Sequence, residues 1–190
     1  LGRYAESEAT IRMALEVAPE SVKAMSSLAA TLAALNRIAE AESYALRVVE
    51  LDPNSADAHR KLGDIKYKQG AMGESQSSYR RALELKPDDF HANCNLGVTL
   101  SDTGFPEQAE AWLRKALEVL PGSAEAHNIL GVVLLDLERP DEAEAQLRQA
   151  LAIAPNAVGM HGNLGTILCH LGRLEEAVAS YRRALAIDPM

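Results

Sequence analysis

The chain has 190 residues, enough for one domain of ordinary size, with 47% apolar and 24% charged residues, the balance of a folded rather than a disordered chain. Only five Tyr, two Phe and one Trp are aromatic, so the core must be built from Leu, Ala, Ile and Val, which favours helices. A net charge of −8 disfavours a general nucleic-acid binder, and no apolar run reaches the ~18–20 residues of a membrane-spanning helix.

The prolines set the frame for the predicted elements. Pro19, Pro53, Pro87, Pro121, Pro155 and Pro189 are each 34 residues apart, and so are the other two, Pro106 and Pro140. A period of this length signals stacked supersecondary units. Residues 1–21 match only the second half of a unit, with Leu1-Gly2 standing where Leu171-Gly172 stand later. Units then follow at 22–55, 56–89, 90–123, 124–157 and 158–190.

Each unit predicts two short antiparallel helices. In Ala92–Thr103, Leu96 and Leu100 share one face, and Gly97 lets a second helix approach. Gly70, Gly104 and Gly172 follow first helices, where a left-handed cap favours Gly, and Asn36 fills the same place. Pro106 and Pro140 open second helices without loss of a needed donor. Ala109 and Ala116 lie seven apart on the second helix, which ends before the column proline. One such hairpin cannot bury its apolar faces alone, so neighbours stack.

Unit 56–89 carries Lys66 in a leucine column and Ser75 in a small-residue column, which predicts the loosest internal unit. His59, Asn93, His127 and His161 share one column and are read as packing residues. No polar capping helix follows Pro189, so Leu171, Val178, Leu185 and Ile187 are expected to expose apolar surface and to permit self-association. The half unit at the start and the missing polar cap at the end read as the ends of a piece of a longer protein.

Enzyme chemistry finds no support. There is no G-x-S-x-G, Walker A, G-x-G-x-x-G or H-E-x-x-H pattern. Cys94 and Cys169 lie two units apart, too far for a disulfide, and no CxxC pair suggests zinc. His91 and Cys94 share a helix face without the further ligands that a metal needs. Glu175-Glu176 and Asp88-Asp89 sit near helix starts, where the helix dipole accounts for them. Free cysteines favour a reducing, cytoplasm-like compartment.

The period and the pattern Leu96, Gly97, Leu100, Gly104, Ala109, Ala116, Leu117 and Pro121 resemble the tetratricopeptide repeat family, and the match recurs along the whole chain. The resemblance implies an all-α, right-handed solenoid whose first helices line a concave groove. It also implies a non-catalytic module, without cofactor or metal, that binds an extended peptide or a protein as scaffold or adaptor. By the family's groove positions, the candidate ligand-binding residues are Arg60, Lys61, Tyr67, Lys68, Asn95, Asp102, Asn128, Asp136 and Asn163. An asparagine both donates and accepts, which suits a peptide backbone. Charge runs from Arg60, Lys61 and Lys68 toward Asp102, Glu125 and Asp136, which could orient a bound segment. The asparagine row also partly resembles the repeat arm of O-linked N-acetylglucosamine transferases, although Ser27, Lys61 and Ile129 interrupt it; the alternative is thus a substrate-recruiting arm of a larger enzyme. The family's carboxylate clamp is rejected, because Asp64 and Glu125 would repel a carboxylate there and Ile129 offers it no cation.

Overall fold

The computed structural model describes residues 2–189, with side chains from residue 6 onward. Eleven helices account for these residues: α1 (Gly2–Val17), α2 (Val22–Ala34), α3 (Ile38–Leu51), α4 (Ala56–Lys68), α5 (Met72–Leu85), α6 (Phe90–Asp102), α7 (Pro106–Val119), α8 (Ala124–Asp136), α9 (Pro140–Ile153), α10 (Val158–His170) and α11 (Leu174–Ile187). First helices have 13 residues and second helices 14. With connections of three and four residues, these lengths close on the 34-residue period. The chain forms two compact units, residues 1–99 and 100–190.

In the first unit α2 packs on α3 and α4 on α5, while α1 covers α2 and α3 leads into α4. Leu28, Leu32, Ala41, Leu62 and Ile65 are buried between them. In the second unit α8 packs on α9 and α10 on α11. Leu113, Leu130, Leu134, Leu147 and Ile167 are nearly inaccessible there. Close approach is literal at Gly131: a Cβ would stand 2.0 Å from Leu147 Cδ2 and 3.2 Å from the Ala143 carbonyl oxygen.

The ends of the first helices repeat one device. The amides of Arg37, Ala71, Phe105, Arg139 and Arg173 donate to carbonyls five residues back, at Leu32, Lys66, Leu100, Leu134 and Leu168. This closure needs a left-handed residue. Gly70, Gly104 and Gly172 supply it, Asn36 does so at φ 60°, and Glu138 does so at φ 57° despite its side chain. At the other end, Ser21, Ser55 and Ser123 accept from the amide three residues on, and Asp89 Oδ1 accepts from Ala92 N. Ala157 holds the same extended backbone and has no side chain to cap with.

The histidine column does more than pack. Nε2 of His59, His127 and His161 donates to the carbonyl oxygens of Pro53, Pro121 and Pro155 at 2.9–3.0 Å. Asn93 Nδ2 makes the same bond to Pro87. The column proline ends one helix, and its free carbonyl is satisfied from the next.

Ion pairs form a second lattice. Arg37 joins Glu40 at 2.6 Å to Glu8 at 2.7 Å, 29 residues back. Arg139 joins Glu142 to Glu110, and Arg173 joins Glu176 to Glu144, with the same spacings. In unit 56–89 the arginine position is Ala71, and Lys66 bridges the corresponding Glu42 and Glu74. Lys66 is therefore no isolated defect, because its ammonium replaces the missing guanidinium. Ser75 is likewise satisfied, donating to the Gly63 carbonyl at 3.0 Å. The remaining positions of the lattice hold Leu100, Phe105, Gln76 and Gln108, where cation and carboxylates are absent together.

On α11, Leu174, Val178, Tyr181 and Leu185 are well exposed and Ile187 is half-buried, as is Leu171 at the end of α10. Of the two cysteines, Cys94 is buried and Cys169 exposed. No described helix is long and apolar enough to cross a membrane.

Candidate functional site

The first-helix face of the first unit is built on α4. Arg60, Lys61, Asp64, Tyr67 and Lys68 recur there at three- and four-residue steps, which places them along one side of the helix. Asp64 is its hub. Its carboxylate accepts from Arg60 Nη1 at 3.1 Å, from the Tyr79 hydroxyl at 2.8 Å and from Asn95 Nδ2 at 2.8 Å. Three elements, α4, α5 and α6, thus meet on one side chain. Burial first, and then the neighbouring Asp64 charge, push the Tyr79 phenol far above its ordinary value, so it stays a donor.

Arg60 also binds Asp57 Oδ1 at 2.6 Å. Burial alone would weaken its charged form, but the carboxylates of Asp57, Asp64 and Asp89 outweigh that and raise its pKa. Its charge is therefore spent within α4. Lys61 bonds Ser26 Oγ on α2 at 2.9 Å and Asp57 at 2.7 Å. Lys68 and Lys23 have no such partner among the described residues.

Three concavities adjoin on this face. One of about 360 Å³ is lined by Asp64, Tyr67, Lys68, Tyr79, Asn95 and Val98. A second, of about 160 Å³, lies over Ala29, Ala30 and Ala33 and shares Asp64 and Lys68 with the first. A third, of about 470 Å³, is bordered by Lys23, Ser26, Ser27 and Asp57 and shares Lys61 with the second. The alanine face of α2 leaves this room, and the serines wet its far end.

In the second unit, Asn163 Nδ2 on α10 donates to Asn128 Oδ1 on α8 at 2.9 Å. That bond leaves the Asn128 amide hydrogens and the Asn163 oxygen for another partner. Asp136 ends α8 and is exposed, as is Asp102 at the end of α6. The structure thus joins Arg60, Lys61, Tyr67, Lys68 and Asn95 in the first unit and Asn128 with Asn163 in the second. Among the described residues, no group of three or more His, Cys, Asp or Glu is arranged to hold a metal ion.

Sequence reasoning placed Asp64 on the groove face without naming it as a ligand-binding residue, and left Tyr79 out altogether. A signal existed. Asp64 accompanies Tyr79 and Thr166 accompanies Tyr181, and each pair lies within hydrogen-bond distance. Val98 and Val132 accompany Leu113 and Leu147 in the same two columns. A polar residue in one column thus goes with a phenol in the other.

A sequence profile described as tetratricopeptide repeat matches residues 1–56, 32–90 and 130–189, and a second such profile matches 88–156. The chain belongs to the tetratricopeptide repeat family. Its fold is the all-α, solenoid-like repeat of helix pairs that solved members share. YrrB, described as "a TPR protein with an unusual peptide-binding site", is similar at 22% identity and a TM-score of 0.74, over 94% of this chain and 92% of that one. TTC0263 from Thermus thermophilus is similar at 27% identity and 0.71, over 89% and 92%. MamA from Desulfovibrio magneticus RS-1 is similar at 17% identity and 0.81, over 88% and 95%. No curated protein matches the sequence significantly. Membership in this family makes the chain a protein-interaction module.

Proposed function

We propose that the first-helix face binds an extended peptide or protein segment and that the chain acts as a scaffold or adaptor. The observation that carries the reading is the run of three adjoining concavities around Lys61, Asp64 and Lys68. Asn95 supports it. Its amide nitrogen is tied to Asp64, which holds the side chain in place and leaves its oxygen as an acceptor for a peptide N–H. A group positioned beforehand costs less to order on binding. Asn128 and Asn163, already bonded to each other, offer donors and an acceptor in the same way. The peptide-binding site named for YrrB agrees with this use of the fold. The scaffold role needs no catalytic group.

The test is a selection of random twelve-residue peptides on the protein, followed by affinity measurements on an Asn95→Ala, Asn128→Ala, Asn163→Ala variant. The variant must first show the parent's circular dichroism. Selected peptides are expected to lose tenfold or more in affinity. Equal affinity for the folded variant would place binding away from the asparagines and refute the reading.

A further inference from the structure

We propose that the first unit selects an acidic segment, in which an Asp or Glu lies within three residues of a bulky apolar side chain. The inference rests on the peptide-binding reading above and names the chemistry of the occupant.

The charge argument comes first. Every charged group around the 360 Å³ cleft except one is already matched. Asp64 receives three donors, and one of them is the Arg60 guanidinium. Arg60 is shared between Asp57 and Asp64. Lys61 is held by Asp57 and Ser26. Among the described residues lining the cleft, Lys68 has a charge without a partner, and it borders the neighbouring concavity as well. Lys23 repeats the situation at the far end of the run. On a chain of net charge −8, this face therefore keeps, among the described residues, two unmatched cations, Lys68 and Lys23, and no unmatched carboxylate. A basic segment would find no partner here, and an acidic one finds Lys68.

The shape argument is independent. The cleft has an aromatic floor in Tyr79, a residue 2% exposed, and half-buried walls in Tyr67 and Val98. Its volume is at the small end of the ~300–1,000 Å³ usual for ligand sites. It suits one bulky side chain with its flanking backbone rather than a helix. Asn95 beside it supplies a backbone contact. Because Lys68 is common to both concavities, the acidic side chain belongs next to the apolar one. Lys61 and Lys68 are seven residues apart on α4, about 10 Å at ~1.5 Å per residue. An extended chain covers that span in about three residues at ~3.3 Å each. A second acidic residue three positions away would therefore reach only Lys61, which Asp57 already holds, so one acidic residue suffices.

The experiment uses biotinylated twelve-residue Gly/Ser peptides carrying one Phe and one Asp at separations of one to three. Control peptides replace Asp by Lys, or Phe by Ala. Binding is read by biolayer interferometry at low salt and at ~0.15 M. The Phe/Asp peptide is expected to bind at least tenfold tighter than either control, with the margin over the Lys peptide shrinking as salt screens it. Lys68→Glu, at an exposed position that tolerates exchange, is expected to reverse the preference toward the Lys peptide. The proposal is overturned if none of these peptides binds, if Phe→Ala has no effect, or if Lys68→Glu keeps the preference for Asp. Library-selected peptides that depend on the asparagines but ignore Lys68→Glu would refute this inference and leave the peptide-binding reading standing. Peptides indifferent to the asparagines would remove both.

Discussion

Position 71 holds Ala where the matching positions of other units hold Arg37, Arg139 and Arg173, and Lys66 in the leucine column does the bridging instead. That exchange makes a quantitative prediction. Consider Lys66→Leu. The new side chain matches Leu32, Leu100, Leu134 and Leu168 of its column, so the apolar contact is kept or improved. What is lost is the cation between Glu42 and Glu74. The Lys66 side chain is 11% exposed, Glu42 24% and Glu74 65%. The Glu74 pair is close to a surface pair, worth ~0–1 kcal/mol. The Glu42 pair is more enclosed, and its loss leaves a half-buried carboxylate beside another, a cost of about 1–2 kcal/mol. The leucine gain offsets part of this, so the single change should cost about 1 kcal/mol. Ala71 has φ −80° and ψ 63°, close to the −90° and 64° of Arg37, so an arginine fits its backbone. Lys66→Leu with Ala71→Arg should therefore restore the lattice seen at Arg37, Arg139 and Arg173. The double-mutant cycle is expected to show a favourable coupling of about 1–2 kcal/mol. Repeat arrays unfold in parts, so the assay is native-state hydrogen exchange of the α4 and α5 amides, supported by urea melts. Additivity within ~0.5 kcal/mol would refute the claim that the lysine stands in for an arginine.

Other consequences are simpler. Ala157→Ser restores the cap present at Ser21, Ser55 and Ser123 and should stabilise by about 1 kcal/mol in urea melts; no gain would mean that the cap geometry is not used. Glu138→Gly removes a side chain from a left-handed backbone and should add about 0.5–1 kcal/mol, whereas Gly104→Glu should cost at least as much. Gly131→Ala drives a methyl into Leu147 and should cost about 1–3 kcal/mol by the same melts. Acid should unfold the lattice. Hydrogen bonds from Lys66 and Gln69 hold the Glu42 carboxyl below its ordinary value, and Arg37 and Arg139 do the same for Glu40 and Glu142. A lowered carboxylate contributes stability above its unfolded value of ~4.3 and loses it as pH falls through the folded one. The melting temperature should hold from pH 7 to about 5 and drop below about 4; a flat profile to pH 3 would contradict the ion-pair lattice.

The period, the helix pairs, the prolines at helix starts and four of the five left-handed caps were readable in the sequence because each depends on one residue in one column. Features that join columns were not. Lys66 looked like a defect because its worth depends on Ala71, Glu42 and Glu74 at once. The histidine column looked like packing because its bonds go to carbonyls, which a sequence does not display. The groove columns named Asn95 and Arg60, but not that both are held by Asp64. Arg60 thus contributes less free charge than the sequence suggests, and Lys68 contributes more. Glu138 broke the glycine pattern, and only the backbone shows that it keeps the conformation.

The central claim is that the first-helix face is where this protein meets its partner. The direct measurement is a set of ¹H–¹⁵N correlation spectra of the labelled protein, titrated with a selected peptide. The account predicts shifts concentrated at Ala30, Lys61, Tyr67, Lys68, Asn95 and Val98, with α3 and the far side of α5 unmoved. Shifts concentrated on α3 and α5, or on the exposed apolar residues of α11, would contradict it.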